Sequence, residues 1–211
     1  MKISIIVPIH NLEPYLHNSL SRIISLYVIN EIETELICIL DNCTDGSWKE
    51  VQKIQQCSKI MPVKIIECNV GSAGLARNIG LDNANGDWIW FIDGDDYIIN
   101  PEALLYFNDV LTKNQNVGII NFNFLFSEKI CDLYANGGSM FCNVWSRIFS
   151  RELIGDTRFN DKQVAEDLDF VNEVFSRIDK EHGLFHINRL LYFYNNLRID
   201  SLTNLNNSKQ Q

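Results

Sequence analysis

The sequence has few basic residues and no long apolar run, and each shortage argues against a class of protein. Among 211 residues, 18 Lys and Arg stand against 27 Asp and Glu, a formal net charge of −9. Duplex nucleic acid is bound by clustered basic side chains that neutralise phosphates, so this charge argues against a nucleic-acid partner. No segment approaches the roughly 20 consecutive apolar residues of a transmembrane helix. Any membrane contact is therefore expected to be peripheral.

We also expect neither a metal-binding cysteine pair nor a signal peptide. The six cysteines form no CxxC pair and have no His at metal-ligand spacing, so we expect free thiols rather than a zinc site. The amino-terminal segment MKISIIVPIHN has a short apolar run that Pro8 interrupts, unlike the longer core of a signal peptide. We therefore expect a cytoplasmic protein, with peripheral contact at the inner face of the membrane as the further option.

What the sequence does contain is an alternation of short apolar runs and helical patterns, which is typical of βα units. The first half predicts strands over 3–7, 36–40, 63–68 and 88–92, and helices over 11–30, 47–56 and 72–83. The second half predicts a helix opened by Pro101, a strand over 117–126, a loop to about 143, a helix over 165–177 and a strand near 190–194. The first helix is expected to bury one face: Leu16, Leu20, Ile23, Ile24 and Tyr27.

These elements predict an α/β fold, with a Rossmann-like, mostly parallel sheet, helices on both faces and a smaller region beside it. No repeat or low-complexity linker divides the chain, so we predict one domain over 1–203. Its first half, 1–100, would bind a nucleotide, and 101–203 would form the second half. The polar tail 204–211 is expected to fray.

Polar residues follow each of the four predicted strands of the first half. We call the residues directly after each strand its exit. The four strand exits are His10-Asn11, Asp41-Asn42, Asn69-Val70-Gly71 and Asp93-Gly94-Asp95-Asp96. In an open α/β sheet, ligands bind beyond the carboxyl ends of the strands. Asn11 or Asp41 alone is equally well explained as a turn or a helix cap. The four exits together predict a ligand site.

The last exit carries three carboxylates within four residues. Asp93, Asp95 and Asp96 repel one another unless a cation offsets their charge, and oxygen ligands suit Mg²⁺ or Mn²⁺. An EF-hand loop is excluded because its sixth position, where Gly is required, is Ile98. The alternative is a solvated acidic turn ahead of the helix that Pro101 opens.

Small residues follow the third strand, and Arg77 comes one turn into the next helix. Such a junction suits a neighbouring pyrophosphate, although the glycine spacing is not GxGxxG. Arg77 by itself is equally well explained as a surface salt bridge.

In this order and spacing, four segments resemble the family 2 inverting glycosyltransferases over about residues 2–175: IIVPIHN, ILDNCTDGS, NVGSAGLARNIGLDNANGDWIWFIDGDD and AEDLDF. The resemblance implies a GT-A fold whose second half faces an acceptor. It implies sugar transfer from a nucleoside-diphosphate sugar, first of all a UDP-sugar, to a glycan or lipid-linked glycan, with Mn²⁺ or Mg²⁺ as cofactor. Synthesis of bacterial surface polysaccharide or lipid-linked glycan is the implied setting.

The matching positions imply a donor-binding set at the strand exits. Its members are Pro8 and Asn11 beside the nucleoside, Asp41 at the base, Arg77 near the nucleotide, and Asp93, Gly94 and Asp95, with Asp96 adjoining, as the metal-holding Asp-x-Asp motif. The motif that begins at Asp41 is one residue shorter than the family's usual form, which leaves the identity of the base open.

The pair Glu166-Asp167 matches the acidic pair whose Asp serves as general base in the family. Inverting transfer needs such a base to deprotonate the acceptor hydroxyl. Asp167 also begins an amphipathic helix, so the alternative is a charge that only complements the helix dipole. On the acceptor side the resemblance suggests Trp145, Arg147 and Arg198, although Trp145 is equally well explained as a buried core residue.

Two other functions stay open at the level of sequence. A sugar nucleotidyltransferase shares the α/β core and metal carboxylates, but it uses a Gly-rich basic loop after the first strand, where this chain has Pro-Ile-His-Asn. A catalytically silent nucleotide-sugar-binding protein would keep the fold without turnover. The intact Asp93, Asp95 and Asp167 argue against it.

Overall fold

The computed structural model describes residues 1–28, 32–126, 129–131, 143–162 and 166–195. Its helices are α1 (Glu13–Ile24), α2 (Ser47–Cys57), α3 (Ala73–Asn83), α4 (Ala103–Lys113), α5 (Arg151–Ile154) and α6 (Glu166–Ser176). Its strands are β1 (Lys2–Ile9), β2 (Glu33–Asp41), β3 (Val63–Cys68), β4 (Trp88–Phe91), β5 (Tyr97–Ile98), β6 (Val117–Phe126), β7 (Lys129–Cys131), β8 (Arg147–Ser150) and β9 (Gly183–Tyr194).

The strands of the described residues form a single sheet in the order β3-β2-β1-β4-β8-β6-β9-β5, and β7 pairs with β6. The first four strands of that order are parallel, while β8 is antiparallel to both of its neighbours. Strands β6 and β9 are parallel to each other. The α/β prediction with a mostly parallel sheet is therefore confirmed, and the sheet continues from the first half of the chain into the second.

Alternate side chains of the central strands enter two separate cores, one on each face of the sheet. Ile5 of β1 packs on the face that α1, α2 and α4 cover, whereas Ile6 packs on the opposite face with α3, α5 and α6. At Gly80 of α3, an added Cβ would lie only 2.3 Å from Cγ2 of Ile6. A glycine here lets α3 approach β1 closely, which fixes the height of α3 above the sheet.

The first helix is shorter than predicted. It ends at Ile24, where the backbone N–H of Ser25 donates to the carbonyl of Ser21, instead of continuing toward residue 30. Tyr27 was predicted on the buried face, but it lies beyond the helix and is 56% exposed. The chain turns there because the N–H of Tyr27 donates to the carbonyl of Pro101, just ahead of α4.

Further elements also differ from the prediction. Strands β5 and β8 and helix α5 were not predicted, strand β7 lies within the stretch predicted as a loop, and β9 begins at Gly183 rather than near residue 190. β5 has two residues and β8 has four, too few for a period-two pattern to stand out, and β8 begins with a charged residue, Arg147. The proposed halves 1–100 and 101–203 stay a prediction, and the tail 204–211 lies outside the described residues.

The amino termini of α1 and α2 cap each other. Asp45 accepts hydrogen bonds from the N–H groups of Glu13 and Ser47, and the Glu13 carboxylate accepts one from the N–H of Gly46. The Ser47 hydroxyl accepts from the N–H of Leu12. This exchange satisfies amide groups that helix termini leave unpaired, and it fixes the two loops that follow β1 and β2 against each other.

Within the part of the chain that the structure describes, no helix is both long and apolar enough to cross a bilayer.

Candidate active site

The carboxyl ends of β1 to β4 lie along one edge of the sheet, because these four strands are parallel. The predicted polar exits therefore come together there, and the amino termini of α3 and α6 face the same edge. An added Cβ at Gly74, in the first turn of α3, would lie 3.1 Å from Cγ of Glu166, the first residue of α6. The two halves of the chain thus meet at the edge where ligands of open α/β sheets bind.

One guanidinium group connects three elements at this edge. Arg77 of α3 donates from Nη2 to Asp93 Oδ1 at 2.7 Å, and from Nη1 to Glu166 Oε1 at 2.9 Å and Asp167 Oδ1 at 3.1 Å. Arg77 is 4% exposed, and its guanidinium lies 5.4 Å from the centre of the Phe159 ring. The predicted alternative of a surface salt bridge is wrong, because Arg77 is buried beneath these carboxylates.

Burial and the charges around Arg77 together determine the basicity of Asp167. Burial raises the pKa of Asp167, Arg77 lowers it, and the carboxylates of Asp93 and Glu166 raise it again, with a net value of about 6. Its second oxygen, Oδ2, accepts a hydrogen bond from the N–H of Val144 at 3.1 Å. Asp167 is therefore ionised at neutral pH, yet it is a stronger base than an ordinary aspartate.

The acidic turn, residues Asp93 to Asp96, follows β4. Gly94 lets it pack against the first strand, since an added Cβ would lie 2.7 Å from Leu12 Cδ1 and 3.3 Å from the carbonyl oxygen of Pro8. Asp93 faces Arg77, and both Asp93 and Asp95 are partly exposed. These two carboxylates are the ones that reach the solvent side of the turn.

Asp96 differs from its neighbours because it is 1% exposed and both of its oxygens are hydrogen-bonded. Oδ2 accepts from the Tyr192 hydroxyl and Oδ1 from the N–H of Asn195, each at 2.7 Å. Burial raises the pKa of Asp96 well above its usual range, and the charges of Asp95 and Asp93 raise it further. Asp96 therefore ionises less readily than an ordinary aspartate, and the charges beside it are those of Asp93 and Asp95.

The charges and the hard oxygen donors of Asp93 and Asp95 fit a divalent cation such as Mn²⁺ or Mg²⁺. Among the residues that the structure describes, no group of three or more His, Cys, Asp or Glu is already arranged to hold a metal ion. A pair of carboxylates is nevertheless what Mg²⁺ uses when substrate phosphates complete its coordination.

Asp41, at the end of β2, is bound by the loop that follows β3. Its Oδ1 accepts from the N–H groups of Val70 and Gly71, at 2.7 and 3.2 Å, and its Oδ2 accepts from the N–H of Ser72 at 3.1 Å. Asp41 is 4% exposed. Its carboxylate fixes this loop, and a contact with a nucleobase stays a prediction.

Asn11 fixes the neighbouring loop in a similar way. Its Oδ1 accepts from the N–H of Thr44 at 2.8 Å and from the Thr44 hydroxyl at 3.3 Å. Asn11 has a φ of 50° and Asn42 a φ of 49°, a left-handed conformation that Asn adopts more readily than most residues. Pro8 is buried within β1. The predicted nucleoside-side residues thus shape the rim of the site.

Of the residues predicted for the acceptor side, the two that the structure describes are buried. Trp145 is 6% exposed, with its ring stacked on Tyr192 at 4.7 Å and on Tyr194 at 5.2 Å between centroids. Arg147 is fully buried, with hydrogen bonds to Asn143 and its guanidinium over the ring of Phe175. Both side chains lie in the interior in this conformation. Arg198 lies outside the described residues.

Sequence reasoning missed Tyr192 as a residue of the site. Besides donating to Asp96, its hydroxyl accepts a hydrogen bond from the N–H of Asp93 at 3.2 Å. Tyr192 is 96 positions away from Asp96 in the chain. In the sequence it stands only as one of three consecutive aromatic residues at the end of a predicted strand, and no local signal marks the hydroxyl as part of the site.

The fold is the GT-A fold. TarS 1-349 of S. aureus, in a crystal structure with UDP-GlcNAc, superposes with a TM-score of 0.79 at 22% identity, covering 92% of this chain and 58% of that one.

The family model for glycosyl transferase family 2 matches residues 4–154, so the chain belongs to glycosyl transferase family 2. The glycosyltransferase GlyA of Streptococcus pneumoniae is 25% identical over 92% of this chain and 30% of its own length. The poly(ribitol-phosphate) beta-glucosyltransferase of Bacillus spizizenii is 35% identical over 55% of this chain and 18% of its own length. The chain thus spans less than a third of the length of these two relatives.

Proposed function

We propose that this chain catalyses metal-dependent, inverting transfer of a sugar from a nucleoside-diphosphate sugar to an acceptor hydroxyl. The observation that carries the proposal is the contact of one buried guanidinium, Arg77, with Asp93 of the acidic turn and with Asp167 of α6. Asp93 would bind on the donor side and Asp167 would act on the acceptor. Because both contact Arg77, they lie close to one another. Family membership supports the same reaction class.

Asp167 is the proposed general base. Inverting transfer places the acceptor hydroxyl on the face of the sugar opposite the leaving group, and a base must take its proton as the new bond forms. A pKa of about 6 leaves Asp167 ionised at neutral pH and basic enough to share that proton in the transition state. Glu166 binds the same guanidinium group and, in this proposal, helps to hold Arg77 and Asp167 in place.

Asp93 and Asp95 are the proposed holders of Mn²⁺ or Mg²⁺. When bound there, the ion supplies Lewis-acid stabilisation of the charge that gathers on the leaving diphosphate. Two partly exposed carboxylates on one turn, beside a third that is buried and ionises with difficulty, support this assignment.

The loop held by Asp41 and the start of α3 are the proposed support for the nucleotide. The hydroxyl of Ser72 accepts from the N–H of Leu75, so the helix begins directly after the loop that Asp41 fixes. A helix amino terminus favours a nearby anion such as a diphosphate. TarS binds UDP-GlcNAc, which favours a UDP-sugar as the donor here.

A glycan or lipid-linked glycan is the proposed acceptor, within bacterial surface polysaccharide or lipid-linked glycan synthesis. The poly(ribitol-phosphate) beta-glucosyltransferase relative supports a surface polymer of this general kind. A cytoplasmic location, with peripheral contact at the inner face of the membrane, suits a donor made in the cytoplasm and an acceptor carried on a lipid.

The metal assignment is tested by replacing Asp95 with Ala. Calorimetric titrations with UDP and with GDP, in Mn²⁺ and in chelator, should show metal-dependent binding to the natural protein and its loss in Asp95→Ala. Asp109→Ala is the matched control, because Asp109 is an exposed aspartate of α4 whose side chain is 59% accessible. If Asp95→Ala keeps unchanged, metal-dependent affinity, the acidic turn is not the metal site.

A screen of donor hydrolysis separates the three candidate functions. Slow, Mn²⁺-dependent release of UDP or GDP from a nucleotide sugar, without added acceptor, is the expected result. Release of pyrophosphate from a nucleoside triphosphate with a sugar phosphate would instead identify a nucleotidyltransferase. Binding of nucleotide sugars without hydrolysis or transfer to any glycan acceptor would identify a silent binding protein.

A further inference from the structure

The carboxyl end of β9 is tied to the acidic turn by four hydrogen bonds. The Tyr192 hydroxyl donates to Asp96 Oδ2 at 2.7 Å and accepts from the N–H of Asp93 at 3.2 Å. Asn195 donates from its backbone N–H to Asp96 Oδ1 at 2.7 Å and from its side-chain amide to the carbonyl of Asp95 at 3.2 Å. All three aspartates of the turn are therefore contacted by one short segment from the far end of the chain.

The geometry gives Asp96 a different position from Asp93 and Asp95. Its side chain points into the protein, its two oxygens have separate donors, and Tyr192 is fully buried behind it. The ring of Tyr192 is itself held by stacking on Trp145, with an interplanar angle of 9°. Backbone pairing of Ile98 with Tyr192 continues the attachment just after the turn. A carboxylate enclosed in this way is shielded from the solvent to which Asp93 and Asp95 are partly exposed.

Building on the proposed function, we propose that Asp96 and Tyr192 are positioning residues of the donor site and that Asp96 is not a metal ligand. They fix the backbone of the acidic turn, so that Asp93 and Asp95 present their carboxylates in one arrangement. Groups that orient metal ligands in this way typically change metal affinity about 10- to 100-fold when they are removed. Removal of the Tyr192 hydroxyl leaves the Asp93 amide and one Asp96 oxygen without their present partners.

Two conservative substitutions distinguish an anchor from a ligand. In Asp96→Asn, the amide oxygen can still accept from the N–H of Asn195, and the amide nitrogen can donate to the Tyr192 oxygen. The anchor is retained in altered form, but the carboxylate with which Asp96 could bind a metal ion is lost. Tyr192→Phe removes two hydrogen bonds of the anchor and leaves every carboxylate of the turn in place. Tyr106→Phe is the matched control, because its hydroxyl bonds Glu102 on the exposed side of α4.

The experiment is calorimetric titration of the folded proteins with UDP, in Mn²⁺ and in chelator, together with thermal unfolding of each variant. We expect Tyr192→Phe to lose roughly tenfold or more of the metal-dependent affinity, with binding in chelator unchanged. Asp96→Asn should lose much less than Asp95→Asn, and Tyr106→Phe should match the natural protein.

Two results would overturn the inference alone. The first is an Asp96→Asn loss as large as that of Asp95→Asn, which would make Asp96 a ligand. The second is a Tyr192→Phe variant with a lower melting temperature but natural metal-dependent affinity, which would make the tyrosine purely structural. Absence of metal-dependent binding in the natural protein would instead overturn the proposed function, and this inference with it.

Discussion

Arg77 is the residue on which most of the candidate site depends. It is a positive group between Asp93 of the acidic turn and Glu166 and Asp167 of α6, so its carboxylate partners come from two separate elements. Burial lowers the pKa of Arg77, but the three negative charges raise it by more, so the guanidinium stays charged. Removing a partner of a buried ion cluster is strongly destabilising, because it leaves uncompensated charge in the interior. A conservative substitution is therefore the more informative test of its role.

Replacing Asp167 by Asn tests the proposed base. The amide keeps the shape of the side chain but removes its basic oxygen, so turnover should fall roughly 100-fold or more, while donor affinity survives. Steady-state kinetics at saturating donor, combined with calorimetric titration of UDP, measures both quantities. Asp169→Asn on the same helix is the control, since Asp169 pairs with Lys162 at the surface. Full activity in Asp167→Asn would reduce Asp167 to a helix-terminus charge.

Replacing Arg77 by Lys tests the electrostatic coupling between α3 and the base. The base must be ionised to act, so turnover of the natural protein should decline as the pH falls through about 6. A lysine ammonium keeps the charge but cannot contact the three carboxylates with a planar fork, so it stabilises ionised Asp167 less. The pKa of Asp167 then rises, and the acid limb of the pH–kcat profile should move to higher pH. Arg158→Lys, at a surface ion pair with Asp82, should leave the limb in place. An unmoved limb in Arg77→Lys would contradict the coupling.

At the scale of elements, regular periodicity was predictable and short or irregular pieces were not. Strands β3 and β6 have the predicted bounds, because both are long enough for their apolar pattern to show. The two-residue β5 exists because β9 lies beside it, and β8 carries a buried Arg147 that a local pattern cannot mark as interior. The mutual capping of α1 and α2 also depends on two loops that meet only in the folded chain.

The capping exchange leads to a prediction for stability. Asp45→Ala removes the acceptor for the N–H groups of Glu13 and Ser47, and loss of a cap of this kind costs about 1 kcal/mol, within a range of roughly 0.5–2 kcal/mol. Urea unfolding followed by circular dichroism gives the free energy of unfolding. Asp109→Ala, which removes an exposed ion pair with Lys113, should cost less than about 0.5 kcal/mol. Equal losses in the two variants would show that the cap contributes no more than a surface charge.

At the scale of the whole molecule, the site is built from both halves of one continuous sheet. Asp93 belongs to the parallel part, while Asp167 and Tyr192 come from the part after β6. Ligands that contact both halves should therefore stabilise the fold as a unit.

Binding of nucleotide and metal together should raise the melting temperature. A ligand present at 100 times its dissociation constant adds about 2.7 kcal/mol to the native state, which for a chain of this size corresponds to roughly 5–10 °C. Differential scanning fluorimetry with UDP and Mn²⁺ measures the shift, and excess EDTA should remove most of it. Mn²⁺ alone and UDP alone are the controls. A shift that is the same with UDP in EDTA as with UDP and Mn²⁺ would contradict metal-assisted binding.

The sequence by itself determined the α/β class, the major strands and helices, and the exits at which polar residues cluster, because these depend on local periodicity and on which residues end each strand. Only the tertiary structure decided what those polar residues contact. Arg77 and Asp167 are 90 positions apart, and nothing local shows that they share a hydrogen bond. The same holds for Asp96. In the sequence it is equivalent to Asp93 and Asp95, whereas in the structure it accepts a hydrogen bond from the Tyr192 hydroxyl of β9. Contacts over such separations form only when the sheet and its helices pack together. No local pattern in the sequence can therefore indicate them.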